Sequence, residues 1–186
     1  GAALRFEAAV GGGIPVLGPL ALDLAANRVD AVRGIVNGTT NFILSAMAGE
    51  GRPYADILAD AQVAGYAEAD PRGDVEGHDA VNKLVILARL AFGQWLDPAS
   101  IPTAPGMAGG TAGLPGITGV TLKDIVAAAE QGLTIKLIAS AVRDGDGIHG
   151  AVVPSAVPLD SPLGRTDGVL NRIEIEAGGP VDEEQP

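Results

Sequence analysis

The chain has 186 residues, 47% of them hydrophobic, with 27 glycines, no cysteine and a formal net charge of −11, which suits one globular domain with a sizeable core. That acidity argues against nucleic acid and anionic membrane surfaces as partners, and the lack of cysteine excludes a disulfide framework, a thiolate metal site and a thiolate nucleophile. No apolar run approaches the roughly 18 residues of a membrane span and no basic-then-apolar leader opens the chain, so a soluble, cytoplasmic protein is expected. Alternation of Leu4, Phe6 and Ala8 with Arg5 and Glu7 predicts a half-buried strand over residues 2–9. The glycines at 11–13 could cradle a phosphate or an ion with their backbone; they lack the GxGxxG spacing, and a tight strand-to-helix turn is the simpler reading.

Residues 15–27 read as a helix with Leu17, Leu20, Leu22, Leu24 and Ala25 inward, and residues 28–37 as a strand carrying Val29, Ala31, Val32, Ile35 and Val36. Asn37-Gly38-Thr39-Thr40-Asn41 closes that strand and opens a helix to about residue 48. Its threonines and glycine suit an ordinary N-cap, or an anion site at a helix N-terminus. Pro53 stands at the first position of a helix over 53–64.

The stretch 61–83, AQVAGYAEADPRGDVEGHDAVNK, gathers five carboxylates, a histidine and a lysine around one proline and three glycines. After the loop a helix is predicted from about Val75 to Phe92. Val81, Leu84, Val85, Ala88, Ala91 and Phe92 form one apolar stripe, Ile86, Leu87 and Leu90 a second, and only His78, Asn82 and Arg89 face water. Asp79 and Lys83, four residues apart, share a side with Ile86 and Leu90, which predicts partial burial. As a surface pair they would contribute a few tenths of a kcal/mol. In a closed site, a lysine beside a carboxylate is a proton donor and acceptor. The spacing leaves both open.

Residues 97–119, rich in Pro, Gly and Ala, read as a long surface loop. Thr121 caps a helix to about Gly132. Strands are predicted over 133–142, 148–157 and 169–177, the first two joined by the hairpin signal Asp144-Gly145-Asp146-Gly147. Residues 181–186 read as an acidic tail without order. Helices followed by strands predict an α+β fold, a mixed, largely antiparallel sheet with helices packed on one face. No strand-GxGxxG-helix unit is present, so no Rossmann dinucleotide-binding domain is visible in this chain.

The stretch 61–83 resembles the signature of homoserine dehydrogenases: Ala61, Gly65-Tyr66-Ala67-Glu68-Ala69-Asp70-Pro71, Asp74-Val75-Glu76-Gly77, Asp79 and Lys83 fill every fixed position at the right spacing. Residues 5–15, 34–44, 116–118 and 135–139 are similar to further segments of that family, and the resemblance covers essentially the whole chain. It implies an NAD(P)H-dependent oxidoreductase interconverting L-aspartate 4-semialdehyde and L-homoserine, on the way to threonine, isoleucine and methionine. Lys83 would be the general acid, with Asp79 setting its protonation state. Glu68 and Asp79 would bind the substrate ammonium, Asp74 would be a supporting acid, and Asn37, Gly38 and Thr39 would contact substrate or nicotinamide.

The resemblance further implies a monovalent cation, Na+ or K+, held mostly by backbone oxygens at Glu7, Val10, Gly12 and Ile14, and a homodimer, for which strand 169–177 is the candidate sheet edge. Residues 1–180 would form the substrate-binding and catalytic domain. The cofactor would be bound by a domain not in this chain, which alone is expected to bind dinucleotide poorly and to be inactive. The Gly/Ala-rich stretch 107–113 is longer than the family's usual. The competing expectation is a non-catalytic remnant serving oligomerisation or amino-acid binding.

Overall fold

A computed structural model describes residues 4–104, 113–145 and 147–180. The expected tail at 181–186 and most of the stretch 107–113 lie outside the described residues. In chain order the regular elements are β1 (Asn27–Ile35), α1 (Gly38–Glu50), α2 (Tyr54–Val63), α3 (Arg72–Val75), α4 (His78–Phe92), α5 (Leu122–Ala129), β2 (Leu133–Asp144), β3 (Gly147–Pro158) and β4 (Arg172–Pro180). The strands form one sheet in the order β3-β2-β1-β4, with every pairing antiparallel, as the α+β expectation requires.

The β2–β3 hairpin runs in unbroken register from Leu133↔Pro158 to Asp144↔Gly147. Val32 opposite Ala141, and Ala139 opposite Val152, set one face of the sheet. On that face these residues and Leu137 join Leu44 and Met47 of α1 and Leu84, Val85 and Ala88 of α4 in the main core. The reverse face holds a small cluster of Ile35, Ile138 and Leu163 with Val157 against it, to which no helix contributes. Among the described residues no helix is long and apolar enough to cross a membrane.

α4 buries Ala80, Val81, Leu84, Val85, Leu87 and Ala88 and exposes His78, Asn82 and Arg89, as its periodicity predicts. Its start differs: the helix expected from Val75 is split. Gly77 adopts φ +88, a left-handed conformation that interrupts the i→i−4 ladder, so the turn α3 stands apart and α4 begins at His78.

The expected strand at 2–9 does not form among the described residues. Glu7–Ala9 is a 3-10 turn, because the Glu7 carboxylate reaches forward to accept from the backbone N–H groups of Val16 (2.5 Å), Leu17 (2.7 Å) and Gly18 (2.9 Å), a local side-chain bond that competes with extended pairing. The following helix is shorter than 15–27 and widens into a π turn over Pro19–Asp23, with Leu24 N donating to Pro19 O at 2.9 Å. The wider turn shifts the phase of the side chains: Leu17 and Leu20 are buried while Leu22 is 70% exposed. Pro53 stands one position before α2 rather than in it.

The expected surface loop 97–119 is anchored at both described ends. Ile101 and Ile117 are buried, Val152 N donates to Pro102 O and Ile117 N to Val75 O. β4 starts at Arg172, three residues after the expected Val169, and is an edge strand.

Candidate active site

The end of β1 delivers Val36 and Asn37 to the first turn of α1. Asn37 is extended (φ −127, ψ 113) and caps that helix, its Oδ1 accepting from Thr40 N at 2.9 Å. With Oδ1 committed, the amide nitrogen turns the other way and donates to Asp74 Oδ1 (2.7 Å) on α3 and to Asp79 Oδ2 (2.9 Å) on α4. One helical turn along α4, Lys83 Nζ donates to the same Asp79 Oδ2 at 2.7 Å and to Val36 O at 3.0 Å. Asn37 thus joins three side chains, Asp74, Asp79 and Lys83, that lie about forty residues further along the chain.

Asn37 is 5% exposed, whereas the side chains of Lys83 and Asp79 are 23% and 35% exposed. The pair is therefore walled on one side and open on the other, and its ion pair is worth less than a sealed one. Nζ retains a third N–H after its two bonds, and Asp79 Oδ1 and Asp74 Oδ2 accept nothing among the described residues. One donor and two carboxylate oxygens of this half-exposed cluster are thus unused among the described residues.

The other carboxylates of the stretch have separate lives. Asp70 is gripped by Arg72 through two bonds of 2.8 and 2.6 Å, and these hold its carboxyl at about 2, with the backbone N–H of Arg72 adding to the effect. Glu76 lies 3.2 Å from His78. Glu68 is exposed and its carboxylate has no partner among the described residues; its carbonyl accepts from Gln62 Nε2 at 3.0 Å. The loop carrying it is laced to α1, with Thr39 Oγ1 donating to Tyr66 O at 2.9 Å and the Phe42 and Tyr66 rings 4.8 Å apart.

The structure therefore brings Asn37, Asp74, Asp79 and Lys83 into direct contact. It places Gly38 and Thr39 on the adjoining turn and leaves the Glu68 side chain in solvent on the neighbouring loop. The N–H groups of Gly38 and Thr39 have no acceptor among the described residues, as is usual for the first positions of a helix. A Cβ on Gly38 would stand 2.8 Å from Val169 O, so the loop before β4 lies directly on this turn.

Lys136 of β2 holds that loop in place through its bonds to residues 166 and 167. It is 1% exposed, and its Nζ donates to Asn41 Oδ1 (3.2 Å), Ser45 Oγ (3.1 Å), Thr166 O (2.8 Å) and Asp167 Oδ1 (2.8 Å). Asn41 Nδ2 adds bonds of 3.0 Å each to Thr166 O and Leu170 O. The one available signal was a lysine inside the apolar run LTIKLIASAV, since a cation there needs a buried partner.

Around residues 7–14 the Glu7 side chain is committed to the backbone at 16–18, so only its carbonyl could serve an ion. Gly11 and Gly12 are both left-handed (φ +76 and +63). The carbonyls of Val10, Gly12 and Ile14 accept no hydrogen bond among the described residues. Asn171 Nδ2 lies 3.8 Å from where a Cβ on Gly12 would be, and Asn171 Oδ1 is buried without a partner. Unused neutral oxygens of this kind fit a hard monovalent cation. Among the described residues no group of three His, Asp or Glu could hold a metal ion.

A family model described as "Homoserine dehydrogenase" matches residues 15–179. The chain is 42% identical over 174 residues to a homoserine dehydrogenase of Neisseria gonorrhoeae and 44% identical over 179 residues to one of Corynebacterium glutamicum, in each case over 94% of this chain. It spans 38% of the length of each of these relatives. The fold is similar to the crystal structure of a homoserine dehydrogenase from Thiobacillus denitrificans, with a TM-score of 0.84 and 40% identity over 93% of this chain and 38% of that one. It is also similar to a homoserine dehydrogenase of S. aureus, with a TM-score of 0.74 and 34% identity over 82% of this chain and 36% of that one.

Proposed function

Because this chain belongs to the homoserine dehydrogenase family, an oxidoreductase family, we propose that it is the substrate-binding and catalytic domain, residues 1–180, of an enzyme interconverting L-aspartate 4-semialdehyde and L-homoserine. A nicotinamide dinucleotide, NAD(P)H, held by a domain outside this chain, would supply the hydride to the aldehyde carbon. The observation that carries the reading is Lys83 Nζ, 2.7 Å from Asp79 Oδ2 and 3.0 Å from Val36 O, with one N–H to spare on a side chain 23% exposed.

In the reduction the spare N–H of Lys83 binds the aldehyde oxygen and polarises the carbonyl. As the hydride reaches carbon, the oxygen takes a proton from Nζ and becomes the hydroxyl of homoserine. Lys83 is left as a neutral amine, still oriented by Asp79 and Val36 O, and regains its proton through its exposed edge. In the reverse direction the neutral amine is the base. The substrate ammonium is received by Glu68, Asp79 Oδ1 and Asp74 Oδ2, and the carboxylate by the free N–H groups of Gly38 and Thr39 at the positive end of α1.

The carbonyls of Glu7, Val10, Gly12 and Ile14 would hold Na+ or K+, a reading supported by the unused carbonyls of Val10, Gly12 and Ile14. The enzyme would act in the cytoplasm as a homodimer on the route to threonine, isoleucine and methionine. Edge strand β4 and the small apolar cluster of Ile35, Ile138 and Leu163 are the surfaces a second copy would cover.

Lys83→Ala in the complete polypeptide tests the assignment. Loss of a general acid lowers turnover about 10²–10⁴-fold while the circular dichroism spectrum is retained; turnover near that of wild type would sink it.

A further inference from the structure

We propose that Asn37 is a positioning residue for proton transfer: one amide holds the Asp74 and Asp79 carboxylates together, assigns Asp79 Oδ2 to Lys83 and leaves Asp79 Oδ1 for substrate. This rests on the catalytic reading of Lys83. Asn37 has no valence left for a ligand. Its Oδ1 accepts from Thr40 N, both hydrogens of its Nδ2 go to carboxylate oxygens at 2.7 and 2.9 Å, and it is 5% exposed.

The orientation of the amide is dictated by its neighbours. Turned over, it would set a carbonyl oxygen against two carboxylate oxygens and an NH2 against the N–H of Thr40, losing all three bonds. That orientation has an electrostatic effect. Two carboxylates are gathered on a single nitrogen, and the Lys83 ammonium lies between Asp79 Oδ2 and Val36 O. An NH2 group can only donate, so it occupies one oxygen of each acid and opposes their mutual repulsion. Asp79 Oδ2 is thereby held as the acceptor of the Lys83 ammonium.

The same turn of backbone also supplies Val36 O to Lys83 at 3.0 Å. Asn37 and its predecessor thus grip the acid and the lysine of the i,i+4 pair at once. The charged groups in direct contact around Asn37 are Asp74 from α3 and Asp79 from α4, with Lys83 one turn on; α1 contributes only backbone.

Two substitutions in the complete enzyme separate positioning from capping. Asn37→Asp keeps an equally good N-cap but replaces the donor with a third carboxylate; Asn37→Ser keeps a cap and is too short to reach both acids. Expected for Asn37→Asp is an acid limb of the pH–rate profile displaced upward by about one pH unit or more, with kcat reduced roughly 10–100-fold. Difference titration, which needs no turnover, should show the variant binding about one proton more than wild type near neutrality. Asn37→Ser should lower kcat about tenfold with the KM for the nicotinamide cofactor unchanged. A wild-type pH profile and kcat in Asn37→Asp, or no extra proton, overturns the proposal, because a mere cap is preserved in that variant. Lys83→Ala measured in parallel reports on the catalytic reading alone: if it stays active that reading fails, and the titration still decides what Asn37 holds.

Discussion

Replacing Lys136 with methionine asks how much the buried ammonium under α1 contributes to folding. Methionine keeps most of the aliphatic stem in β2, so the change is confined to Nζ and its four oxygens. Asp167, whose side chain is 70% exposed, turns to water and its loss counts for little. Ser45 rotates its hydroxyl, and Thr166 O keeps its bond from Asn41 Nδ2. Asn41 Oδ1, in a residue 1% exposed, is the acceptor left stranded, at about 1–3 kcal/mol. The lost charge-assisted bonds to Ser45 and Thr166 add about 1.5–3 kcal/mol each, and relief of the desolvation of the ammonium offsets much of the total. The expected loss is about 3 kcal/mol, the lower end for removing one partner of a buried polar cluster, or roughly 6–12 °C in Tm for a chain of this size. Urea unfolding followed by far-UV circular dichroism measures it, with Asp167→Asn as the companion variant expected to lose less than about 1 kcal/mol. A Lys136→Met protein as stable as wild type would refute the reasoning, by showing that an apolar tip serves the site as well as four hydrogen bonds.

Gly116→Ala should be among the most damaging single changes. At φ +56 its new Cβ would overlap Val75 O and stand 2.6 Å from the carbonyl carbon of Glu76, at the α3–α4 junction that sets the spacing of Asp74 and Asp79. A loss of about 2–4 kcal/mol is expected in urea unfolding, and an unchanged midpoint would contradict it. Glu7 gives a pH dependence of known sign. Desolvation raises its carboxyl pKa, but the N–H groups of Leu17, Gly18 and Val16 together outweigh that and hold it below the ordinary 4.5. Its stabilisation is therefore complete above that ordinary value and fades as pH falls through the lowered one. The difference in urea midpoint between wild type and Glu7→Gln should shrink on going from about pH 6 to about pH 3; a constant difference would mean that the carboxylate charge contributes nothing.

What could be read in advance was local. Asp79 and Lys83 were legible because a four-residue spacing on an almost wholly apolar helix leaves a charged pair half-buried, and the β2–β3 hairpin because Asp and Gly at 144–147 force a turn. The split at Gly77 was hidden, since a glycine at the start of an apolar stripe reads equally as helix or break, and only packing against α3 decides. Alternation at 4–8 predicts an N-terminal strand because it says nothing of the carboxylate of Glu7 folding forward onto residues 16–18. Asn37 could be seen as a cap but not as the holder of two acids 37 and 42 residues away. Lys136 reads as an ordinary strand residue until Asn41 and residues 166–167 are brought beside it.

β1 precedes the other three strands of its sheet and lies inside it, yet both of its neighbours come much later in the chain: Ala31 meets Val142, and Val32 meets Ile175. A nascent chain emerging from the ribosome therefore carries an apolar strand with two bare edges until β2 and β4 have been made, a period of exposure to mispairing. Its helices can gather early, because α1 to α4 follow one another directly. The sheet closes only when β4 has emerged. Since the loop that rests on Gly38 immediately precedes that strand, the cluster around Lys83 acquires this wall only once residues 166–171 are made, and a ribosome stalled before residue 166 would display α1 to α4 without it.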